Sequence, residues 1–221
     1  MWQGKFEFQP HDAHYRGKVG NNDLHAHFAI QIVRGMDRPV SVETPLGLFT
    51  APIVTIGSLI RHRLRQQDDV MIRWVEPSSA EGLALAGRQT ARVMTADAPS
   101  TEYREDVLDE TIQQVIDQLS SAPQSLTTIA RDIGISPQRL RRAARAALGG
   151  PLCHWALWLK LRRAVIAIVE GVPLAQAASD GGFSDQAHLN RTMRAMFGTT
   201  PGAFQLAAQG RIDCDASGRG R

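Results

Sequence analysis

An internal repeat constrains this chain more than any other feature. Residues 129–136 read Ile-Ala-Arg-Asp-Ile-Gly-Ile-Ser, and residues 177–184 read Ala-Ala-Ser-Asp-Gly-Gly-Phe-Ser. Each segment sets a small residue on a helix (Ala130, Ala178), a glycine four positions on (Gly134, Gly182), an apolar residue next (Ile135, Phe183) and then a serine (Ser136, Ser184). The alanine lets two helices cross closely, and the glycine accepts the positive φ of a sharp turn. The apolar residue plugs the corner, and the serine caps the helix that follows. One such segment is as compatible with a plain helical hairpin as with a helix-turn-helix. Two in tandem favour the helix-turn-helix.

The surrounding punctuation predicts about seven helices. Val107, Leu108, Thr111, Ile112, Val115 and Leu119 form an apolar stripe at helical steps. Ser125 is placed to cap a helix from Leu126, and Ser136-Pro137 opens the next, which Gly149 ends. Pro151 opens a long helix stopping at Gly171, Pro173 opens another, Ser184 caps the sixth and Thr200-Pro201 starts the seventh. The long helix, Pro151 to Val169, has 19 residues, hence a length of ~28 Å. It is apolar nearly all round, so it should be wedged between two packed units. Two recognition helices held roughly 30 Å apart suit successive major grooves of B-DNA, whose turn is ~34 Å.

The net charge of +3 over 221 residues decides nothing, but its distribution is informative. Residues 131–163 hold eight basic side chains (Arg131, Arg139, Arg141, Arg142, Arg145, Lys160, Arg162, Arg163) against one acid, Asp132. This is either a phosphate-binding face or a solvated helix surface.

Residues 158–164 (Trp-Leu-Lys-Leu-Arg-Arg-Ala) and 182–201 (from Gly182-Phe183-Ser184-Asp185 to Gly198-Thr199-Thr200-Pro201) closely resemble the AraC-type family of transcription regulators. The resemblance runs over about residues 105–207. It implies recognition helices at Pro137–Leu148 and Asp185–Phe197. Three residues depart from the family pattern: Ala143 and Ala144 stand where bulky apolar residues are usual, and Gly181 replaces a β-branched or aliphatic one. These departures point to weaker packing in each unit. On the first recognition helix Gln138, Arg141 and Arg142 are the base-reading candidates, since Gln pairs with adenine and Arg with guanine, and Arg145 is a phosphate candidate. On the second, Gln186, Asn190 and Arg191 correspond to them, with His188 and Arg194 nearer the DNA backbone. Arg162 and Arg163 are alternatively anchors of the connecting helix.

The first half has a different grammar. Apolar or alternating runs at residues 28–33, 53–56 and 70–75, separated by turn-formers such as Gly20-Asn21-Asn22-Asp23, predict short strands in a small β-barrel or sandwich. Thr95 to Thr101 reads as a linker. His25 and His27 are two apart on an expected strand, Gln31 shares their parity, and His62 lies on a later segment. Together they resemble the metal site of a cupin barrel, with Gln31 where cupin enzymes carry Glu, and regulatory domains joined to AraC-type domains are often cupin-like. The four residues are expected to line an effector pocket without metal. Divalent metal binding is the alternative, and no cofactor is assigned. Cys153 is expected to be packed, and Trp74 to lie in the barrel core.

The expected fold is therefore α+β in two domains. A cupin-like β-barrel (1–98) for sensing or dimerisation precedes an all-α domain (105–210) with two helix-turn-helix units and a disordered tail (211–221). The function expected is that of a bacterial-type, sequence-specific DNA-binding transcription regulator. The alternatives are a metal-dependent cupin enzyme with a DNA-binding appendage, and a constitutive DNA-binding protein whose barrel only dimerises. No Gly-rich phosphate loop, nucleophile elbow or acid pair points to catalysis. Double-stranded promoter DNA, a small-molecule effector, RNA polymerase and a second copy of the chain are the candidate partners. With no apolar core of a signal peptide at residues 1–7 and no run of ~20 apolar residues, the protein is expected to be cytoplasmic and without membrane attachment. Two dissimilar cysteines, Cys153 and Cys214, fit a reducing compartment.

Overall fold

Alternating apolar residues build a strand-rich first half, and a period near 3.6 builds a helical second half. The computed structural model describes residues 2–88, 93–96, 110–121, 124–148 and 150–209. Among them the strands are β1 (Gln3–Phe8), β2 (Asp12–Val19), β3 (Ile30–Gly35), β4 (Val40–Thr44), β5 (Gly47–Ala51), β6 (Ile53–Ile56), β7 (Arg63–Leu64) and β8 (Gln67–Val75). Helix α1 (Ala80–Arg88) and strand β9 (Val93–Ala96) complete this half. The helices α2 (Glu110–Ser121), α3 (Leu126–Ile133), α4 (Pro137–Leu148), α5 (Leu152–Val169), α6 (Leu174–Asp180), α7 (Gln186–Phe197) and α8 (Pro201–Gln209) follow.

The strands form two open sheets and not the closed barrel expected. One has six strands in the order β1-β2-β8-β3-β6-β9, and the other three in the order β5-β4-β7. The edge strand β1 is covered instead by α8, whose Phe204 ring lies 4.9 Å from Phe6 and 6.2 Å from Trp2. Covering an edge with a helix is an alternative to closure. The central strand β3 is buried on both faces. Ile30 and Ile32 pack with Ile53, Val75 and Leu85 of α1 on one side, and Val33 belongs to the main core on the other.

Helix α1 falls within a region that reads as β in the sequence. Ser79 caps it, accepting a 2.9 Å bond from the Gly82 amide. Glu81 in its first turn receives both terminal nitrogens of Arg73, at 2.9 and 2.8 Å. Thr95 and Ala96, expected to open the linker, instead pair with Val54 and Ile53 in the sheet. Residues 97–101, Val107, Leu108, Gly149 and the tail at 211–221 lie outside the described residues.

The helix starts follow the punctuation, with one change. Ser125 accepts from the Thr128 amide at 3.0 Å, and Ser136 from that of Arg139 at 3.2 Å. In α7 the cap is Asp185, not Ser184. The Asp185 carboxylate takes the His188 amide at 2.6 Å, while Ser184 donates to Asp185. An anionic cap also favours the positive helix end, and these bonds hold the Asp185 carboxyl below the usual range.

Helix α5 is central, as its all-round apolarity predicts. Trp155, Trp158, Leu159, Leu161, Ala164, Val165, Ala167 and Ile168 are buried. It also joins the halves, since Trp155 lies 5.6 Å from Phe28 and Trp158 lies 6.0 Å from His27. Trp74 belongs to this junction and not to a barrel interior, with Phe197 of α7 set edge-on at 6.0 Å. Cys153, expected to be packed, is exposed at the first turn of α5. Among the described residues no helix is long and apolar enough to cross a membrane.

The glycine at 181 is a fit and not a weakness. A Cβ built there would lie 2.8 Å from the Ala164 Cβ, 2.9 Å from the Lys160 carbonyl oxygen and 3.1 Å from the Phe183 ring. Close approach of α6 to α5 leaves no space for a side chain at this position. Gly181→Val is therefore expected to destabilise the fold by about 1–3 kcal/mol through overpacking, measured by urea unfolding. Unchanged or raised stability would contradict this close approach.

Candidate functional site

The two repeated turns have the same hydrogen-bond geometry. In the first, the Ile135 amide bonds the Ala130 carbonyl at 3.0 Å and the Gly134 amide that of Arg131 at 3.0 Å. In the second, Phe183 bonds Ala178 and Gly182 bonds Ser179, both at 2.9 Å. Gly134 has φ +76° and Gly182 φ +79°. This is the glycine-dependent Schellman ending, in which a left-handed residue lets the chain close two orphan carbonyls. Ala130 and Ala178 are fully buried at the crossings.

Each turn leads into a helix with one buried and one open face. Leu140, Ala144 and Leu148 anchor α4, while Gln138, Arg139, Arg141, Arg142 and Arg145 are exposed. Leu189, Thr192, Met193, Met196 and Phe197 anchor α7, with Gln186, Arg191 and Arg194 exposed and Asn190 half-buried beside them. Among the described residues, the β half leaves both faces uncovered. Gln138, Arg141, Arg142 and Arg145 line a cleft of about 630 Å³ with Pro151 and Cys153, and Gln186, Asn190, Arg191 and Arg194 line a second groove. His188 is drawn into its own turn, its Nδ1 3.2 Å from Ser184 Oγ and its ring edge-on to Phe183 at 5.2 Å.

The basic cluster divides. Arg131, Arg139, Arg141, Arg142 and Arg145 are exposed. The other three serve the fold: Lys160 donates to the Gly182 carbonyl at 3.0 Å, and Arg163 donates to Leu119 and Ser120 carbonyls. Arg162 donates to the Gln9 carbonyl of the β half and lies 3.6 Å from Glu76. Burial pushes the Glu76 carboxyl up, against the opposing pull of Arg162 and His11.

The structure brings His25, His27, Gln31 and His62 together. His25 and His27 do not lie on a regular strand. Instead, His25 and His62 exchange backbone hydrogen bonds of 2.9 and 2.8 Å in an isolated bridge. The His62 ring is centred 4.3 Å from His25 and 5.1 Å from His27. All four residues are 0–3% exposed: His25 3%, His27 1%, Gln31 1% and His62 0%. The Nδ1 atoms donate to the carbonyls of Asp23, Ala29 and Ile60, each at 2.8 Å. Gln31 Oε1 stands 2.7 Å from His27 Nε2 and 3.0 Å from His62 Nε2. Burial, reinforced by His27, drives the His25 pKa down to about 3 against the opposing bond to Asp23. Burial also lowers His27, against its bonds to Gln31 and Ala29, and together with the neighbouring imidazoles it holds His62 well below the usual value.

This cluster sits on the end of α7, a juxtaposition of segments about 170 residues apart that no local signal announces. The Asp23 amide bonds the Gly198 carbonyl at 2.9 Å, and the Ala26 amide that of Ala195 at 3.3 Å. Asn22 donates to the Phe197 carbonyl at 3.4 Å and accepts from the Leu64 amide at 2.9 Å. The Phe197 ring lies 6.0 Å from His27.

Paired turns of one geometry, each carrying a polar and basic helix face, define a tandem helix-turn-helix DNA-binding domain. The family described as "Helix-turn-helix domain" matches residues 106–207, and this half of the chain is similar to the DNA-binding domains of AraC-type transcription regulators. The arabinose operon regulatory protein of Escherichia coli (strain K12) is 23% identical over 105 residues, 47% of this chain and 36% of that protein. The match thus spans little more than a third of that relative. Across both halves the fold resembles ToxT of Vibrio cholerae. An apo form from strain SCE256 has a TM-score of 0.65 over 91% of this chain and 99% of that one, at 8% identity. The wild-type form bound to unsaturated fatty acid scores 0.60 over 91% and 97%, at 10% identity. Identities this low show a shared fold alone.

Proposed function

We propose that the chain is a one-component transcription regulator, not an enzyme, in which the β half responds to a small effector and alters how α4 and α7 engage a promoter. The observation that carries this is the pair of matching turns whose following helices present Gln138, Arg141, Arg142 and Arg145, and Gln186, Asn190, Arg191 and Arg194, to solvent in the full chain. Arg and Gln in this setting read base edges in the major groove, and the remaining cations hold phosphates. His188, tied to Ser184, orients the start of α7 and is the weakest of the proposed contacts. The histidine cluster is the proposed response element, because the segment that carries it is bonded to the end of a recognition helix.

Selection of bound duplexes from a random pool tests the reading. The recovered site is expected to contain two elements about ten base pairs apart on one face. Arg142→Ala should relax base preference in one element and Arg191→Ala in the other, each costing ~1–3 kcal/mol of binding. Both substitutions acting on the same element would refute the tandem geometry. No enrichment of any sequence would refute the regulator reading itself.

A further inference from the structure

We propose that His25, His27 and His62, completed by Gln31, form a site for one divalent first-row transition ion of the zinc class, and that its occupancy sets how α7 is held. This departs from the metal-free pocket expected of the sequence, and its second part rests on the regulator reading above.

The hydrogen bonds of the rings carry the first part. A carbonyl oxygen can only accept, so the bonds to Asp23, Ala29 and Ile60 place a hydrogen on all three Nδ1 atoms. In a neutral imidazole the Nε2 atom then bears the lone pair. A backbone carbonyl on the far nitrogen is the support that orients a metal-binding histidine and fixes its tautomer. Ligand nitrogens of the three rings lie within 4.8 Å of one another. Gln31 Oε1, itself an acceptor, faces the Nε2 lone pairs of His27 and His62 at 2.7 and 3.0 Å. Acceptor against acceptor at that range is repulsive. Either a cation lies among them or the carboxamide turns to donate its NH₂ group. Adjacent ligands of an ion with ~2.1 Å bonds stand ~3.0–3.4 Å apart, so an ion here requires Gln31 to draw back slightly from its 2.7 and 3.0 Å contacts and the ring nitrogens, now within 4.8 Å of one another, to close on it.

Size and chemistry narrow the occupant. Polar atoms 2.7–3.0 Å apart in a cluster no more than 3% exposed leave no room for an organic molecule between them. Calcium and magnesium require mainly oxygen ligands, whereas imidazole suits zinc, nickel, cobalt, copper and iron.

The link to α7 is short and made of hydrogen bonds. His25 bonds the Asp23 carbonyl, and Asp23 bonds the Gly198 carbonyl at the end of that helix. A Cβ at Gly198 would lie 2.3 Å from the Asp23 oxygen and 2.9 Å from His25 Nδ1, so the helix end and the cluster abut. Drawing three rings onto one ion tightens the segment from Asp23 to His27. Because Asn22, Asp23 and Ala26 bond α7, that tightening reaches the helix carrying Gln186 and Arg191.

The test uses the full chain, purified without a histidine tag and stripped with chelator, then titrated with zinc alone and cobalt alone. One equivalent of zinc should remain after gel filtration, and cobalt should give visible ligand-field bands. His62→Ala, with folding checked by circular dichroism, should lose the ion about 100-fold or more. Gln31→Glu is the decisive variant: a carboxylate ligand should preserve the fold and tighten zinc binding about tenfold. Adding zinc should also change affinity for the selected duplex about 5-fold or more in the wild type and not in His62→Ala. Failure of the folded wild-type chain to retain zinc or cobalt overturns the site and leaves Gln31 as a hydrogen-bond node. Retained ion without a change in DNA affinity overturns the coupling. Absence of DNA binding in every state counts against the regulator reading, while stoichiometry still decides the site.

Discussion

Raising salt from 50 to 200 mM is expected to weaken the full chain's hold on its selected duplex by roughly 500-fold. About five neutralised phosphates at ~−0.9 each give a log–log slope near −4.5, and a fourfold rise in salt then multiplies through. The cations available for this are those exposed on the two helix faces, among them Arg139, Arg141, Arg142, Arg145 and Arg194. Arg145→Ala and Arg194→Ala should each reduce the slope by about one while leaving base preference unchanged. Arg163→Ala should leave the slope untouched, because Arg163 is committed to the Leu119 and Ser120 carbonyls. Fluorescence anisotropy across a salt series measures all three. A wild-type slope shallower than about −2 would show that these faces do not meet phosphate.

Phe197→Ala should lower the unfolding free energy of the full chain by about 3–5 kcal/mol. Phe197 is where the halves meet: Phe204 lies 5.5 Å from its ring, and Trp74, Trp158 and His27 each lie 6.0 Å away. Its removal opens a void that rings from both halves cannot close, since each is held by its own backbone. Leu206→Ala is the control. That side chain is 61% exposed, and its loss should stay within about 0.5 kcal/mol. Urea denaturation followed by tryptophan fluorescence measures both, and a Phe197→Ala loss below about 1 kcal/mol would show that the ring cluster does not hold the halves together. The same rings bear on any isolated helical half, which would expose the Trp158, Phe197 and Phe204 surface that the β half now covers.

Much of the helical half was legible because its signals are local. The caps at Ser125 and Ser136, the glycines at 134 and 182 and the apolar plugs Ile135 and Phe183 act within five residues of themselves, and the structure places them as read. The shift from Ser184 to Asp185 is a contest between adjacent oxygens, won by the one that bonds the His188 amide. Helix α1 was missed because its cap lacks a glutamate or glutamine three residues on. What holds it is an ion pair from Arg73 on a neighbouring strand, and burial of Leu85 against Ile30 and Ile32. The histidines were singled out by spacing on an expected strand. They converge instead because His25 and His62 bridge across 37 residues of chain.

By itself the sequence determined the two turns, the helices they join, the polar faces of α4 and α7 and the family likeness these carry, because each depends on residues a few positions apart. Only the tertiary structure decided which cations remain free, why residue 181 has no side chain, that the sheets stay open and that the histidine cluster rests on the end of α7. Each of these follows from contacts between segments distant in the chain, where the partner of a side chain is set by packing and not by spacing.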